Sequence, residues 1–279
     1  RLARSFVRPV LQLFDWIGVQ SPEDMKRFAI AGFPEDHLHL MGSMKYDVAN
    51  LASDEPGKGR EVRKLAGWNR GQVVLLGGST HPGEELILAE IAKELRIRHP
   101  QLRLMLVPRH VERTGGILNE LSATGLKVAK RSQLGEGEAT DPDLLLVDTT
   151  GELRDLYATA DLVFIGKTLT GTGGQNFLEP ARYGRAIVAG PHMENFMSLR
   201  REFESEAAIR VAATREELRR EMGSLLQEPK SREELGKRAE KCFRENTFPP
   251  ASQAPPGTWV LAEATPFPSV APPGWQPPG

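Results

Sequence analysis

The chain is poor in several features, and each shortage excludes something. One cysteine, Cys242, stands among 279 residues, which rules out an internal disulfide framework and fits a reducing compartment. No apolar run reaches the ~20 residues that a membrane-crossing helix needs, and no stretch reads as a signal peptide. Net charge is −1, from 36 basic and 37 acidic residues, so no global basic surface advertises nucleic-acid binding. Six histidines show neither H-E-x-x-H nor another metal-ligand spacing, and no metal is expected. Neither G-x-G-x-x-G nor a Walker loop follows an expected strand, which disfavours a dinucleotide or a triphosphate.

What is present begins with an ordinary bulk composition. At 39% hydrophobic and 26% charged, the chain can bury a core beneath a solvated surface, and its length suits two small domains or one large one. Residues 13–33, LFDWIGVQSPEDMKRFAIAGF, read as strand then helix, with Ser21 as N-cap, Pro22 in the first turn and Gly32 as the stop. HLHLMGSMKYD, residues 37–47, gives a short strand and a loop. The polar stretch 52–60 is expected to be a linker, dividing residues 1–51 from a domain over 61–246. Beyond 247 proline density forbids helix and interrupts sheet, so 247–279 is expected to be a disordered tail. Arg1 is not an initiator methionine, so the chain reads as a fragment or a processed product.

Within 61–246 continuous apolar strands alternate with helices. QVVLLGG, LRLMLVP, LKVAKRS, DLLLVD, DLVFIG and AIVAG are the strands. GEELILAEIAKELRIRHP, with Leu86, Ala89 and Leu95 as inward candidates, VERTGGILNELSATG, GELRDLYATA, EPARYG and 194–206 are the helices. Such alternation specifies an α/β, Rossmann-like parallel sheet covered on both faces. Ligands in such sheets bind beyond the carboxyl ends of the strands, where four polar loops fall: GGSTHPGEE (77–85), PRHVER (108–113), DTTGEL (148–153) and GKTLTGTGGQNFLEP (166–180).

Two readings stay open for most of these residues. Gly171, Gly173 and Gly174 let backbone N–H groups approach a ligand, and the helix after them points its positive end at the same place. The same loop also reads as a surface turn with Asn176 as an N-cap. Glu179 is either a first-turn dipole partner or a carboxylate accepting both hydroxyls of a ribose. Ser79 and Thr80 offer hydroxyls at a strand end, His81 has the usual fate of a buried hydrogen-bonded histidine, and Glu84 and Glu85 read as dipole partners. Arg109 and His110 suggest an anion, since the planar guanidinium makes paired bonds, while a structural pairing of Arg109 with Asp148 or Glu112 is the alternative. Lys167 reads as a solvated loop lysine. Asp148, Thr149 and Glu152 form a capping box, the favoured role for Glu152.

Five stretches, QSPEDMKRFAIAGFPEDHLHLMGSMKYD, GGSTHPGEE, LVPRHVER, DTTGELRDLYATADLVFIGKTL and GGQNFLEPARYGRAIVAGPHMENF, stand in the order and at the spacing of one family. The chain resembles the 3-deoxy-D-manno-octulosonic acid (Kdo) transferases over about residues 15–246. The resemblance implies a GT-B glycosyltransferase with a Rossmann-like carboxyl-terminal domain and a partial amino-terminal one. It implies inversion without metal or cofactor, CMP-Kdo as donor and a lipid A precursor as acceptor, at the cytoplasmic face of the inner membrane. Arg109 and the Gly173–Gly174 loop would then meet the phosphate and Glu179 the ribose. Ser79, Thr80, His110, Gln175 and Asn176 would line the donor pocket, and Lys45 would reach it from the interdomain crossing. Gln175 replaces the family's usual histidine, Thr150 a methionine and Val111 a proline. The family's general base, acceptor-binding basic residues and membrane-associating segment are expected in an amino-terminal part outside these residues. The competing expectations are a GT-B enzyme using a UDP-sugar, as transferase or epimerase, and a non-catalytic nucleotide-binding module.

Overall fold

The computed structural model describes residues 9, 11, 14–19, 22–40, 56–135 and 141–246. Ser21, Lys45, residues 52–55 and the proline-rich tail lie outside them. Near the amino terminus β1 (Ile17–Val19) pairs in parallel with β2 (Leu38–Leu40), with α1 (Pro22–Ala31) between. Gly32 ends α1 at φ +101°, where its N–H returns to the Phe28 carbonyl, as a left-handed helix stop does. Leu11, Val19, Phe33 and Leu38 make a small core of their own.

α2 (Pro56–Leu65) begins inside the stretch expected to be a linker, so residues 56–60 are helical. From it the chain enters β3 (Val73–Thr80), α3 (Glu84–Arg96), β4 (Leu102–Pro108), α4 (Thr114–Ser122), β5 (Val128–Lys130) and β6 (Leu144–Leu146). Then follow α5 (Leu153–Tyr157), β7 (Leu162–Ile165), α6 (Leu178–Arg182), β8 (Ala186–Ala189), α7 (Met197–Ser205), β9 (Arg210–Val211), α8 (Arg215–Gln227) and α9 (Pro229–Asn246). Seven strands form one sheet in the order β5-β6-β4-β3-β7-β8-β9, every pair parallel.

Alternate residues of each central strand enter opposite cores. Val74, Leu76, Met105, Leu145, Val163, Ile165 and Ile187 face one side; Leu75, Leu104, Leu106, Leu144, Leu146, Phe164 and Val188 face the other. With helices over both faces no strand needs a polar side, which is why these segments are uninterrupted apolar runs. No helix among the described residues is long and apolar enough to cross a membrane. From β3 the chain winds out through β4 to β5 and β6, then returns to place β7 on the other side of β3. The carboxyl ends of β3 and β7 therefore flank a topological switch point, where open α/β sheets bind ligands.

The two ends meet with almost no space between them. Gly166 N–H donates to the Gly78 carbonyl at 2.8 Å, and a Cβ on Gly166 would lie 2.0 Å from the Ser79 carbonyl oxygen. We expect Gly166→Ala to lower stability by about 2 kcal/mol or more, since the obstacle is backbone that cannot turn aside. A urea midpoint equal to that of the parent protein would contradict this close packing.

Candidate functional site

The rim is built on the end of β3. Its register slips between Gly78 and Thr80, and Ser79 takes a left-handed φ of +51°, uncommon and mildly strained for a residue with a side chain. The bulge leaves Ser79 and Thr80 buried. The Thr80 carbonyl accepts from Arg109 N–H at 3.0 Å, while its hydroxyl, also buried, makes no hydrogen bond to any described residue.

Three loops meet at His81. Its ring stands edge-on to that of His110, 6.0 Å between centroids, and its Nε2 is 3.3 Å from the side-chain nitrogen of Gln175. Burial, reinforced by the positive charge of Lys167, His110 and Arg113, pushes the His81 imidazole below its ordinary range. A neutral ring can accept from the Gln175 amide, so this contact and the depressed basicity agree. His81 thus belongs with the expected site residues, at the meeting point of the β3, β4 and β7 loops, and Lys167 contributes to its field.

Arg109 and His110 are exposed. His110 Nδ1 lies 3.4 Å from Glu112. The structural pairing considered for Arg109 does not occur among the described residues: Asp148 instead accepts from the N–H and hydroxyl of Ser132. Arg109 remains a cation beside the Thr80 end of β3.

The glycine turn is held from the opposite side. Gly173 and Gly174 have φ of +100° and +72°, and Gly174 lies so near His192 and Met193 that its Cβ would fall 3.1 Å from a carbonyl oxygen. The Gly173 N–H donates to the Glu194 carboxylate at 2.5 Å. That amide binds an anion here, one supplied by the chain itself. The bonds from the Glu194 and Gly173 amides hold this exposed carboxyl below its usual range.

The helix expected to add its dipole is too short to do so. α6 has five residues and its N-cap is Phe177, which makes no side-chain cap; Asn176, one residue earlier, accepts from Leu178 N–H on its Oδ1 at 3.0 Å, so it engages the first helical amide without being the N-cap expected. Glu179 lies 3.7 Å from Arg154. Burial raises its carboxyl pKa against the pull of Arg154, and its charge adds to the burial that keeps the phenol of Tyr157 protonated. No bond among the described residues joins Arg109, the Gly173 turn and Glu179 directly to one another.

Two residues read as simple dipole partners have larger roles. Glu84 is wholly buried. Its Oε2 accepts from the N–H groups of His81 at 2.9 Å and Lys167 at 2.8 Å, and its Oε1 from those of Thr168 and Leu169, both at 3.1 Å. Burial raises this carboxyl pKa and the amide bonds oppose the rise. Glu85, equally buried, makes a paired salt bridge with Arg113 at 2.9 and 3.1 Å. The signal for both lay in helical periodicity, because the buried stripe of α3 runs through Leu88, Ala89, Ile91, Ala92 and Leu95. Stepping back one turn from Leu88 and Ala89 reaches Glu84 and Glu85. Leu86, expected to face inward, is only half-buried. Glu152 likewise departs from its expected capping role: its carboxylate takes the Thr149 hydroxyl and Arg131, and makes no side-chain cap to α5.

The depressed His81 gives a pH dependence of definite sign. The unfolded chain binds a proton near pH 6.5 and the folded one only at lower pH, so stability falls as pH drops through that window. His81→Gln removes the titrating group. Melting temperatures between pH 7.5 and 5.5 should fall further for the parent than for the variant. Equal losses would show that the ring is not strained by its cationic neighbours.

Residues 1–48 match a family described as 3-deoxy-D-manno-octulosonic-acid transferase (kdotransferase). The chain is 32% identical over 231 residues to the 3-deoxy-D-manno-octulosonic acid transferase of Haemophilus influenzae, covering 82% of this chain and 53% of that protein. It is 32% identical over 240 residues to that of Bordetella pertussis, covering 84% and 54%. It thus spans about half the length of these curated relatives. The crystal structure of the C-terminal CMP-Kdo binding domain of WaaA from Acinetobacter baumannii superposes with a TM-score of 0.61 at 27% identity, covering 68% of this chain and 97% of that one. Anabaena HepE, solved with UDP, shares the fold at a TM-score of 0.52 and 13% identity, covering 83% and 59%. The chain has a GT-B glycosyltransferase fold, and over most of its length it is similar to the 3-deoxy-D-manno-octulosonic acid transferases.

Proposed function

We propose that this chain is the donor-binding part of an enzyme that transfers Kdo from CMP-Kdo to a lipid A precursor, at the cytoplasmic face of the inner membrane. The observation that carries this reading is the convergence of the β3, β4 and β7 loops on His81 at the switch point, within a chain that over 68% of its length matches 97% of the WaaA CMP-Kdo binding domain. A nucleoside monophosphate ester asks for little: one phosphate, a ribose diol and a base.

The residues on the rim meet those needs. Arg109, Lys167 and His110 supply positive charge, and Gly173 an amide already engaged by a carboxylate. On cleavage of the anomeric bond the departing CMP gains charge on its phosphate. Fixed cations and an amide aimed there lower that barrier without a metal or cofactor. Glu179, 3.7 Å from Arg154, would accept from the ribose hydroxyls. Thr80 supplies a hydroxyl with no hydrogen-bond partner among the described residues, with Ser79 and Gln175 beside the same loops. Attack from the face opposite the leaving phosphate inverts the anomeric centre. The general base and the acceptor contacts fall to the part of the family outside this half-length, as does the approach to the membrane.

Titration calorimetry separates this reading from its neighbours. CMP should bind more tightly than UMP, UDP or NAD, and Arg109→Ala should weaken CMP by about 10–100-fold without moving the melting temperature, because an exposed cation facing phosphate contributes about 1.5–3 kcal/mol. Tighter binding of a uridine nucleotide would instead favour a UDP-sugar enzyme. No nucleotide binding at all would defeat both readings.

A further inference from the structure

We propose that Glu84 and Glu85 are positioning residues that act side by side, one fixing the β7 loop and the other the β4 loop, so that the first turn of α3 sets the spacing of the donor site. The inference rests on the donor-binding reading above and deepens it.

Two adjacent, fully buried carboxylates at the head of one helix need an explanation. Burying an ion costs several kcal/mol, and apolar residues of similar volume often serve stability as well or better. The remainder of the same stripe is leucine, alanine and isoleucine. Charge at these two positions therefore does something that packing cannot, and the bonds identify it. Glu84 takes three consecutive amides of the β7 loop, at Lys167, Thr168 and Leu169, together with the amide of His81. The loop is tied a second time where the Thr170 hydroxyl donates to the Pro82 carbonyl at 2.9 Å. Lys167 is held there at φ +59°, a left-handed conformation, so the backbone leaving the clamp is directed toward the glycine turn and Gln175. Glu85 takes the whole fork of Arg113, in the short turn that follows Arg109 and His110. Each carboxylate thus holds a loop that carries donor-site groups, without itself reaching the donor.

Glutamine is a severe test at position 84. Each carboxylate oxygen accepts two N–H groups, so either orientation of an amide would turn its NH₂ toward two donors. In Glu84→Gln we expect hydrogen exchange at residues 167–169 to accelerate, and the ratio of CMP to cytidine affinity to fall about tenfold, with affinity for cytidine itself nearly unchanged. A purely structural residue would lower the melting temperature without changing that ratio. Arg113→Met should lower the same ratio while leaving exchange at 167–169 as in the parent. A folded Glu84→Gln protein with parental exchange and parental ratio overturns the proposal. Should that variant fail to fold, Arg113→Met decides alone, and an unchanged ratio overturns the proposal equally. If the parent chain shows no preference for CMP over cytidine, the donor-binding reading fails instead, which the exchange data on the clamp keep distinct.

Discussion

A carboxylate removed from water is unstable unless hydrogen-bond donors surround it, and in this protein the donors around Glu84 come from two separate loops. Each charge-assisted bond returns about 1.5–3 kcal/mol, against a desolvation cost of several. The buried charge of Glu84 is therefore fully compensated only when all four amides are in place. That condition couples the ends of β3 and β7, since neither loop can move without leaving the charge short of partners. The bulge at Ser79, the bare approach of Gly166 and the left-handed turn at Lys167 are compatible with one another through this clamp.

The sheet explains why such a clamp is needed at this place. Strands covered on both faces are fixed by hydrophobic burial and by their parallel hydrogen-bond ladders, and their lengths leave the carboxyl ends close together at the switch point. Loops crossing that point are polar and cannot be held by apolar packing. Charge therefore takes over at the rim, in Glu84, Glu85 with Arg113, and Glu194 on the Gly173 amide. Burial, and after it the charges of Lys167, His110 and Arg113, push the His81 imidazole below its ordinary range against the opposing pull of Glu85. Exposed Arg109 and an engaged glycine amide suit an anionic donor, and the similarity to the 3-deoxy-D-manno-octulosonic acid transferases agrees with that electrostatic reading.

Much of the fold was legible in the residues. Val73 to Gly78, Leu102 to Pro108 and Leu162 to Ile165 could be recognised as buried parallel strands because period-free apolar runs have few other uses. Gly32 and Pro22 marked the limits of α1 because their backbone preferences are local. The bonds that cross from one loop to another were illegible. Glu84 meets Lys167 across 83 positions, and nothing in either neighbourhood announces the partner. Arg131 and Glu152 were hidden in the same way. α6 was read as the short EPARYG, and the dipole expected of it asked more than five residues supply. The arginine, histidine and glycine loops were identified as rim residues, and that placement holds. Lys45 lies outside the described residues.

The central claim is that nucleotide binds at the switch point between the β3 and β7 loops. A crystal structure of the chain with CMP tests it most directly. The account predicts the phosphate between Arg109 and the Gly173 turn, with the Glu194 carboxylate displaced from the Gly173 amide and the ribose at Glu179. Density for CMP elsewhere on the protein, with Glu194 still bonded to Gly173 and the His81 cluster untouched, would contradict it.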